Sequence, residues 1–199
     1  MRILIGRIIK VANNLRKTNG VLNKIRYYLP KDLRRNIYFA LFHSKLTYAI
    51  QVWGQSLILS SRLIKLQKTA VRILSFSNNR AVSLPIFQDL GILSIPSIVF
   101  SLNIKLAHKT LNLESPKALQ NIFGFQWRQN PFATRSSCMH LLVRPFTRTT
   151  NFVYKSLRNK TVINWNTLQI HNKNVDLTTC SYLVILNLIN KFLSTSQTH

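Results

Sequence analysis

The most unusual feature of this 199-residue chain is its lack of acidic residues. Four Asp and Glu residues stand against 28 Lys and Arg residues, and the formal net charge is +24. Even the two closest acids, Asp89 and Glu114, lie far apart in the chain. Glycosidases and two-metal enzymes need several carboxylates side by side. The composition therefore argues against these enzyme classes, since any such site would have to be assembled from distant residues.

Cysteine and glycine are also scarce. Cys138 and Cys180 are the only cysteines, they form no Cys-x-x-Cys pair, and the five histidines are scattered. Because a structural zinc site needs two closely spaced ligand pairs, we predict no metal site and interpret both cysteines as free thiols of a reducing compartment. The five glycines are widely spread, so no glycine-rich loop is available to hold phosphates.

No catalytic dyad is expected either. Residues 136–140 place nucleophilic side chains close to His140. Residues this near in a chain rarely align for catalysis, and no acid is close enough to orient the histidine. We therefore predict no catalytic residue and no cofactor in this chain.

Long hydrophobic runs are absent. The most apolar stretch, residues 90–107, is interrupted by Pro96 and Lys105, whereas a membrane span needs about 20 apolar residues. Arg7 and Lys10 similarly cut short the N-terminal apolar run, which excludes a secretory signal. The basic, acid-free N-terminus does fit a mitochondrial transit peptide. We favour the first amphipathic helix of the domain, because the helical pattern continues past any cleavage point.

What the chain does contain is ample apolar surface. Hydrophobic residues make up 46% of it and aromatic residues 10%, too much for a disordered basic tail. Apolar residues recur at helical spacing in four segments, which predicts four helices. The segments are residues 5–29, with a break at Asn19-Gly20, residues 31–53, a stretch that begins at Ser60 or Ser61, and a stretch after Pro96. A short segment from Ser83 ends at Gly91, and a last helix carries Leu183, Leu186, Ile189 and Leu193.

These patterns predict a mainly α-helical fold in two parts. A helical bundle covers residues 1–113, residues 114–131 form a linker, and residues 132–199 form a C-terminal region. In that region short apolar pieces such as HLLVRPF are strand-like or irregular. We therefore expect a small irregular or α+β region that ends in a helix.

Positive charge concentrates in the helical half. On the predicted second helix the cations lie away from the apolar stripe, which is formed by Leu33, Ile37, Leu41 and Tyr48. On the predicted third helix the cations recur at steps of three and four residues, with no acids between them, and so form a ridge. Charge spaced along an axis suits a phosphate backbone. We predict a nucleic-acid surface, RNA or DNA, formed by Lys31, Arg34, Arg35, Lys45, Arg62, Lys65, Lys68 and Arg72. The alternative is an ordinary solvated face.

The aromatic residues have two interpretations. The residues that could stack on bases are Tyr27, Tyr28, Tyr38, Phe39, Phe42 and Tyr48. At helical spacing beside Leu and Ile, aromatic residues more often belong to a core, and we favour that interpretation. We expect Trp53 and Trp165 to anchor the core, and Trp127 to lie in a loop.

Two long runs and two short boxes resemble one protein family. LNKIRYYLPKDLRRNIYFALFHSKLTYAIQVWG (Leu22 to Gly54) and LQKTAVRILSFSNNRAVSLPIFQDLGILSIPSI (Leu66 to Ile98) resemble the region after the catalytic palm in reverse transcriptases of non-LTR, jockey-like retrotransposons. ATRSS (Ala133 to Ser137) resembles that family's "TRS" box. Arg148-Thr149 followed by Asn164-Trp165-Asn166-x-Leu168 resembles its "RT … WN-x-L" ending.

This resemblance implies a thumb-like helical region that grips a template–primer duplex, followed by the family's C-terminal region. The family's magnesium is held by an aspartate pair in the palm, and no Asp-Asp or Asp-x-Asp occurs here. The expected function is that of a truncated, non-catalytic part of an RNA-directed DNA polymerase. The expected partners are nucleic acid and the polymerase's other domains in trans, with no membrane, in the nucleus or cytoplasm. The alternative is a mitochondrial RNA-binding or ribosome-associated protein with a basic presequence.

Overall fold

Helices account for most of the computed structural model, which describes residues 2–48, 50–55, 57–128, 141–144, 156–173 and 175–196. The predicted mainly α-helical class is confirmed. Within the described ranges there is no strand, only an isolated antiparallel bridge between Trp127 and Leu142. The helices are α1 (Arg2–Ile25), α2 (Lys31–Ile37), α3 (Ser44–Thr47), α4 (Ile50–Trp53), α5 (Leu57–Leu74), α6 (Ser83–Asp89), α7 (Ile95–Leu111), α8 (Lys117–Phe123), α9 (Leu157–His171) and α10 (Tyr182–Ser196). A π-helical segment (Tyr38–His43) joins α2 to α3.

The chain divides into two units, Met1–Ile98 and Val99–His199. Our sequence-based boundary lies at residue 113, whereas the contacts group most of α7 with the second unit. There Ile104 and Ala107 of α7 are fully buried in a core with Trp165.

The first unit is organised by α1, which packs along α5. The contact buries Ala12, Leu15 and Leu22 of α1 and Leu63, Ala70 and Leu74 of α5. The break predicted at Asn19-Gly20 is wrong, because α1 continues through both residues. Asn19 Nδ2 donates to the Leu66 carbonyl on α5 at 3.1 Å, so a tertiary contact outweighs the weak helix propensity of this pair.

The segment from α2 to α4 buries a different face from the predicted one. The buried residues are Tyr38, Phe42, Leu46, Ile50 and Trp53, which are mostly four apart. Leu33 and Tyr48, which the α-helical pattern placed on the apolar face, are 48% and 72% exposed. The π-helical segment accounts for the shift at Tyr48, which follows it, because i→i+5 hydrogen bonds widen the turn and keep residues four apart in line. Leu33 precedes this segment, so the π-helical turn does not account for its exposure.

Gln67 is a buried polar junction of the first unit. Its Oε1 accepts from the Ile95 backbone N–H at 3.0 Å, and its Nε2 donates to the Leu93 carbonyl at 2.9 Å and to Tyr38 Oη at 3.2 Å. One side chain therefore ties α5 to the π-helical segment and to the start of α7.

Three helices end in the same left-handed turn, the Schellman motif, in which a residue with positive φ follows the helix. At the end of α6 this residue is Gly91, with φ of 59°. At the ends of α5 and α7 it is Phe76 and Leu113, with φ of 55° and 58°. All three turns share the same pair of backbone hydrogen bonds, such as Ser77 N to Arg72 O at 3.0 Å after α5. Only glycine adopts this conformation without strain, so Phe76 and Leu113 hold it at a conformational cost.

The second unit is built around Trp165, which is fully buried among residues of α7, α9 and α10. Its neighbour Asn166 accepts from the Leu142 N–H and donates to the Leu142 carbonyl, both at 2.9 Å. The two bonds satisfy the backbone groups of Leu142, which the hydrogen bonds of its bridge with Trp127 do not use. The Trp165-Asn166-x-Leu168 motif is therefore structural here, with Leu168 also fully buried. The expectation that Trp165 anchors the core is confirmed.

Candidate nucleic-acid interface

Three of the predicted cations form an outward-facing stripe on α5. The side chains of Arg62, Lys65 and Lys68 are exposed and make no hydrogen bond or ion pair with any residue that the structure describes. They fall within about 120° of the helix circumference. The opposite side of α5 packs on α1, so burial of the apolar side turns these cations to solvent. We call these three residues the α5 stripe.

A second row of cations, on α1, was not among the predicted site residues. Arg7, Lys10, Lys17 and Lys24 are exposed and pair with no described residue. With Asn14 and Val21 they complete a surface row at alternating steps of three and four residues. The row is about 25 Å long. We call its four cations the α1 stripe. The same spacing argument that marked α5 could have found it, since no acid occurs before Asp32.

Lys31 lies in an ion pair. Its Nζ is 2.8 Å from both carboxylate oxygens of Asp89, on a pair of side chains that are 51% and 61% exposed. A surface pair of this kind contributes about 0–1 kcal/mol. Asp89 therefore neutralises much of the local charge of Lys31 without fixing the side chain strongly.

Two predicted arginines, Arg34 and Arg35, hold helix ends instead of projecting into solvent. Arg34 Nη1 donates to the Leu74 carbonyl at 2.6 Å, at the last residue of α5. Arg35 Nε donates to the Leu90 carbonyl at 2.7 Å, at the end of α6. Both guanidinium groups therefore meet the negative end of a helix dipole.

Arg72 and Lys45 are also engaged within the first unit. Arg72 donates from Nε and Nη2 to the Ala81 carbonyl at 3.0 and 2.8 Å, which fixes the loop between α5 and α6. Lys45 is exposed and donates to Thr18 Oγ1 at 3.2 Å. The structure thus groups three of the eight predicted residues on one open stripe, and the other five have partners in the same unit. The nucleic-acid role of all eight stays a prediction.

The aromatic residues divide between core and surface. Tyr38 and Phe42 are fully buried and stacked, with ring centroids 5.1 Å apart, so the core interpretation is confirmed for them. It is wrong for Tyr27, Tyr28 and Tyr48, which are 67%, 85% and 72% exposed. Burial, opposed by the hydrogen bond from Gln67, raises the pKa of Tyr38 to about 12.

Several predicted features lie outside the described residues. These are the segment Ala133 to Ser137, Arg148-Thr149, Cys138 and His140. Within the described ranges, no group of three or more His, Cys, Asp or Glu side chains could hold a metal ion. Among the described helices, none combines the length and the apolar character that a membrane crossing requires. No protein-family model, no curated protein and no solved structure matches this chain.

Proposed function

We propose that this chain contacts the phosphate backbone of nucleic acid through the α1 and α5 stripes. The observation that carries the proposal is that seven exposed cations, on two helices packed together, have no carboxylate partner among the described residues. Cations spaced along a helix neutralise phosphates and release condensed counterions. Such contacts position a duplex but read no base, so binding depends on charge and geometry and not on sequence.

The sequence resemblance to the thumb region of non-LTR reverse transcriptases gives this binding a context. A thumb holds the template–primer duplex by its backbone, which is the kind of contact that the two stripes offer. The polymerase's other domains, in trans, are then the expected protein partner. In this setting we place the chain in the nucleus or the cytoplasm.

The same proposal assigns no catalysis to this chain. The residues present do not fit the family's magnesium site, because no two of the four acids are close in sequence and Asp89 is paired with Lys31. We expect no nucleotide incorporation by the purified chain on a primed template with magnesium, whereas primer extension above background would contradict this part.

Mitochondrial import with removal of α1 is disfavoured by packing. Ala12, Leu15 and Leu22 of α1 are buried against α5, so cleavage within residues 7–26 would open the core of the first unit. Mapping the N-terminus of the mature protein from cells tests this point. We expect α1 to be present.

The binding proposal is tested by fluorescence anisotropy on blunt duplex DNA and on an RNA–DNA hybrid. The test variant changes the α5 stripe, Arg62→Gln, Lys65→Gln and Lys68→Gln. The matched control removes the same charge from three exposed lysines of the second unit, Lys109→Gln, Lys117→Gln and Lys191→Gln. The test variant should bind at least tenfold more weakly than the control. Equal affinities would show that binding follows net charge alone and would refute the role of the stripe.

A further inference from the structure

A cluster of two arginines and two aromatic rings lies beside the end of α5, in the first unit. The Arg34 guanidinium carbon lies 4.5 Å from the centroid of the Phe76 ring, and that of Arg26 lies 5.2 Å from the same centroid. Arg26 also lies 4.6 Å from the centre of the Tyr27 ring and donates to Tyr27 Oη. Tyr27 meets Phe76 edge to face, with centroids 5.5 Å apart. Two cations thus share one aromatic ring.

Two hydrogen-bond donors of this cluster lack an acceptor among the described residues. They are the buried Nε atoms of Arg26 and Arg34. Buried donors without an acceptor are rare in native structures, and a charged donor makes the deficit larger. The two guanidinium groups place positive charge beside the Phe76 ring, and this charge favours an anionic ligand.

A cavity of about 430 Å³ opens next to the cluster. Arg26 and Phe76 line it together with Ile73, Ser77 and the side chains of Asn23, Asn78 and Asn79. This volume is that of a site for a small molecule or a single building block of a polymer. The three amides offer both donors and acceptors, which is what the edge of a nucleic-acid base requires. Among the residues that the structure describes, none with a carboxylate lines the cavity.

The backbone at Phe76 holds its ring in a left-handed position, where the ring packs against the cluster. Phe76 occupies the left-handed position of the turn after α5, where Gly91 stands in the equivalent turn after α6. Leu113 holds the same conformation with a side chain that is 74% exposed, so the strain alone does not mark a site. The Phe76 ring differs in that it packs against Arg26, Arg34 and Tyr27. The Phe76 ring remains 49% exposed, so it is not simply core.

We propose that this cavity holds one unpaired nucleotide of a single-stranded nucleic acid. Arg26 would bind its phosphate, Tyr27 and Phe76 would contact its base, and the amides of Asn78 and Asn79 would bind the base edge. Pairing hides that edge in a duplex, so the cavity selects a single strand, while the stripes hold any phosphate backbone. This inference rests on the proposed function, because it adds single-stranded nucleic acid as a second ligand of the same chain.

The test compares a fluorescein-labelled DNA single strand with a blunt duplex of the same sequence, using the full chain. Phe76→Gly removes the ring and relieves the left-handed strain, so the turn is kept. Leu113→Gly makes the same backbone change in the turn after α7 and is the matched control. We expect Phe76→Gly to weaken single-strand binding about tenfold and duplex binding less than twofold. Leu113→Gly should change neither affinity.

A second variant keeps the test decisive if Phe76→Gly unfolds the chain. Asn78→Asp with Asn79→Asp changes two exposed amides to carboxylates of the same shape and should also weaken single-strand binding about tenfold. Unchanged single-strand affinity in either folded variant, or an equal loss for strand and duplex, would overturn the proposal. The two proposals can also fail separately. If the wild-type chain binds a single strand but no duplex, and Phe76→Gly removes the single-strand binding, the cavity is supported and the proposed binding of duplex phosphates by the stripes is refuted.

The source of the nucleotide is tested by competition with adenosine monophosphate. We expect it to displace the strand only at a concentration at least a hundredfold above that of an unlabelled single strand. Displacement at equal concentrations would overturn the assignment to a strand in favour of a free nucleotide.

Discussion

Replacement of Gln67 by Met tests whether one buried amide holds the first unit together. Met has nearly the same length but no hydrogen-bonding group, so Gln67→Met leaves the Ile95 N–H and the Leu93 carbonyl without their partner. Both hydrogen bonds have ordinary lengths, 3.0 and 2.9 Å, and Gln67 is 1% exposed, which leaves water little access to take its place. A buried group left without a partner costs about 1–3 kcal/mol, so we expect a loss of about 2–5 kcal/mol.

Hydrogen exchange followed by NMR measures this loss where it arises. The opening free energy at the Ile95 amide, and at amides of α1 and α5, should fall by about 2–5 kcal/mol in Gln67→Met. The matched control is Gln88→Met, because Gln88 is exposed and uses only its backbone carbonyl to hold the turn at Gly91. This control should change stability by less than about 0.5 kcal/mol. A loss below about 1 kcal/mol in Gln67→Met would refute the role of this junction.

Three further predictions concern stability. Because the folded pKa of Tyr38, about 12, exceeds the ordinary value of 10.0, its contribution is intact below pH 10 and is lost as the pH rises toward 12. Urea titrations should show a loss of at most about 2.7 kcal/mol that Tyr38→Phe does not show. Asn166→Leu should destabilise the second unit by about 2–3 kcal/mol in thermal melts, since both backbone groups of Leu142 lose a buried partner; an unchanged melting temperature would contradict this. Leu113→Gly should stabilise the chain by about 0.5–1 kcal/mol because it relieves a left-handed residue that is 74% exposed; a destabilised variant would contradict it.

Helices with local start and stop signals could be predicted well from the sequence. The segment opened by Ser83 and closed by Gly91 is α6, and Gly91 has the positive φ that such a stop requires. The apolar spacing also identified the buried side of α5, although the helix begins at Leu57 and not at Ser60 or Ser61. In both cases the information lies within a few residues of the feature.

The π-helical segment could not be predicted, because its hydrogen-bond pattern is chosen by packing. An α-helical period placed Tyr48, which follows this segment, in the core, whereas the stacked rings of Tyr38 and Phe42 occupy it. A change from i→i+4 to i→i+5 bonding rotates every later residue about the helix axis. Spacing alone cannot show which pattern the packed rings will favour.

The candidate site divides in the same way. Steps of three and four residues correctly placed Arg62, Lys65 and Lys68 on the open face of α5. The same reasoning could not tell that Arg34 and Arg35 cap helices 40 and 55 residues away in the chain. A cation near a distant helix end leaves no local sequence signal. The spacing of cations along a helix therefore predicts which of them are exposed, but it does not predict which of them bond to the ends of distant helices.

The salt dependence of duplex binding is the most direct test of the central claim that the two stripes neutralise phosphates. Each phosphate contact contributes about −0.9 to the slope of log K against log salt, so seven stripe cations allow a slope of up to about −6. Changing Arg62, Lys65 and Lys68 to Gln should reduce the magnitude of the slope by about 2.7. The triple change in the second unit should leave it unaltered. A wild-type slope near zero, or one that the α5 stripe variant does not change, would contradict the account.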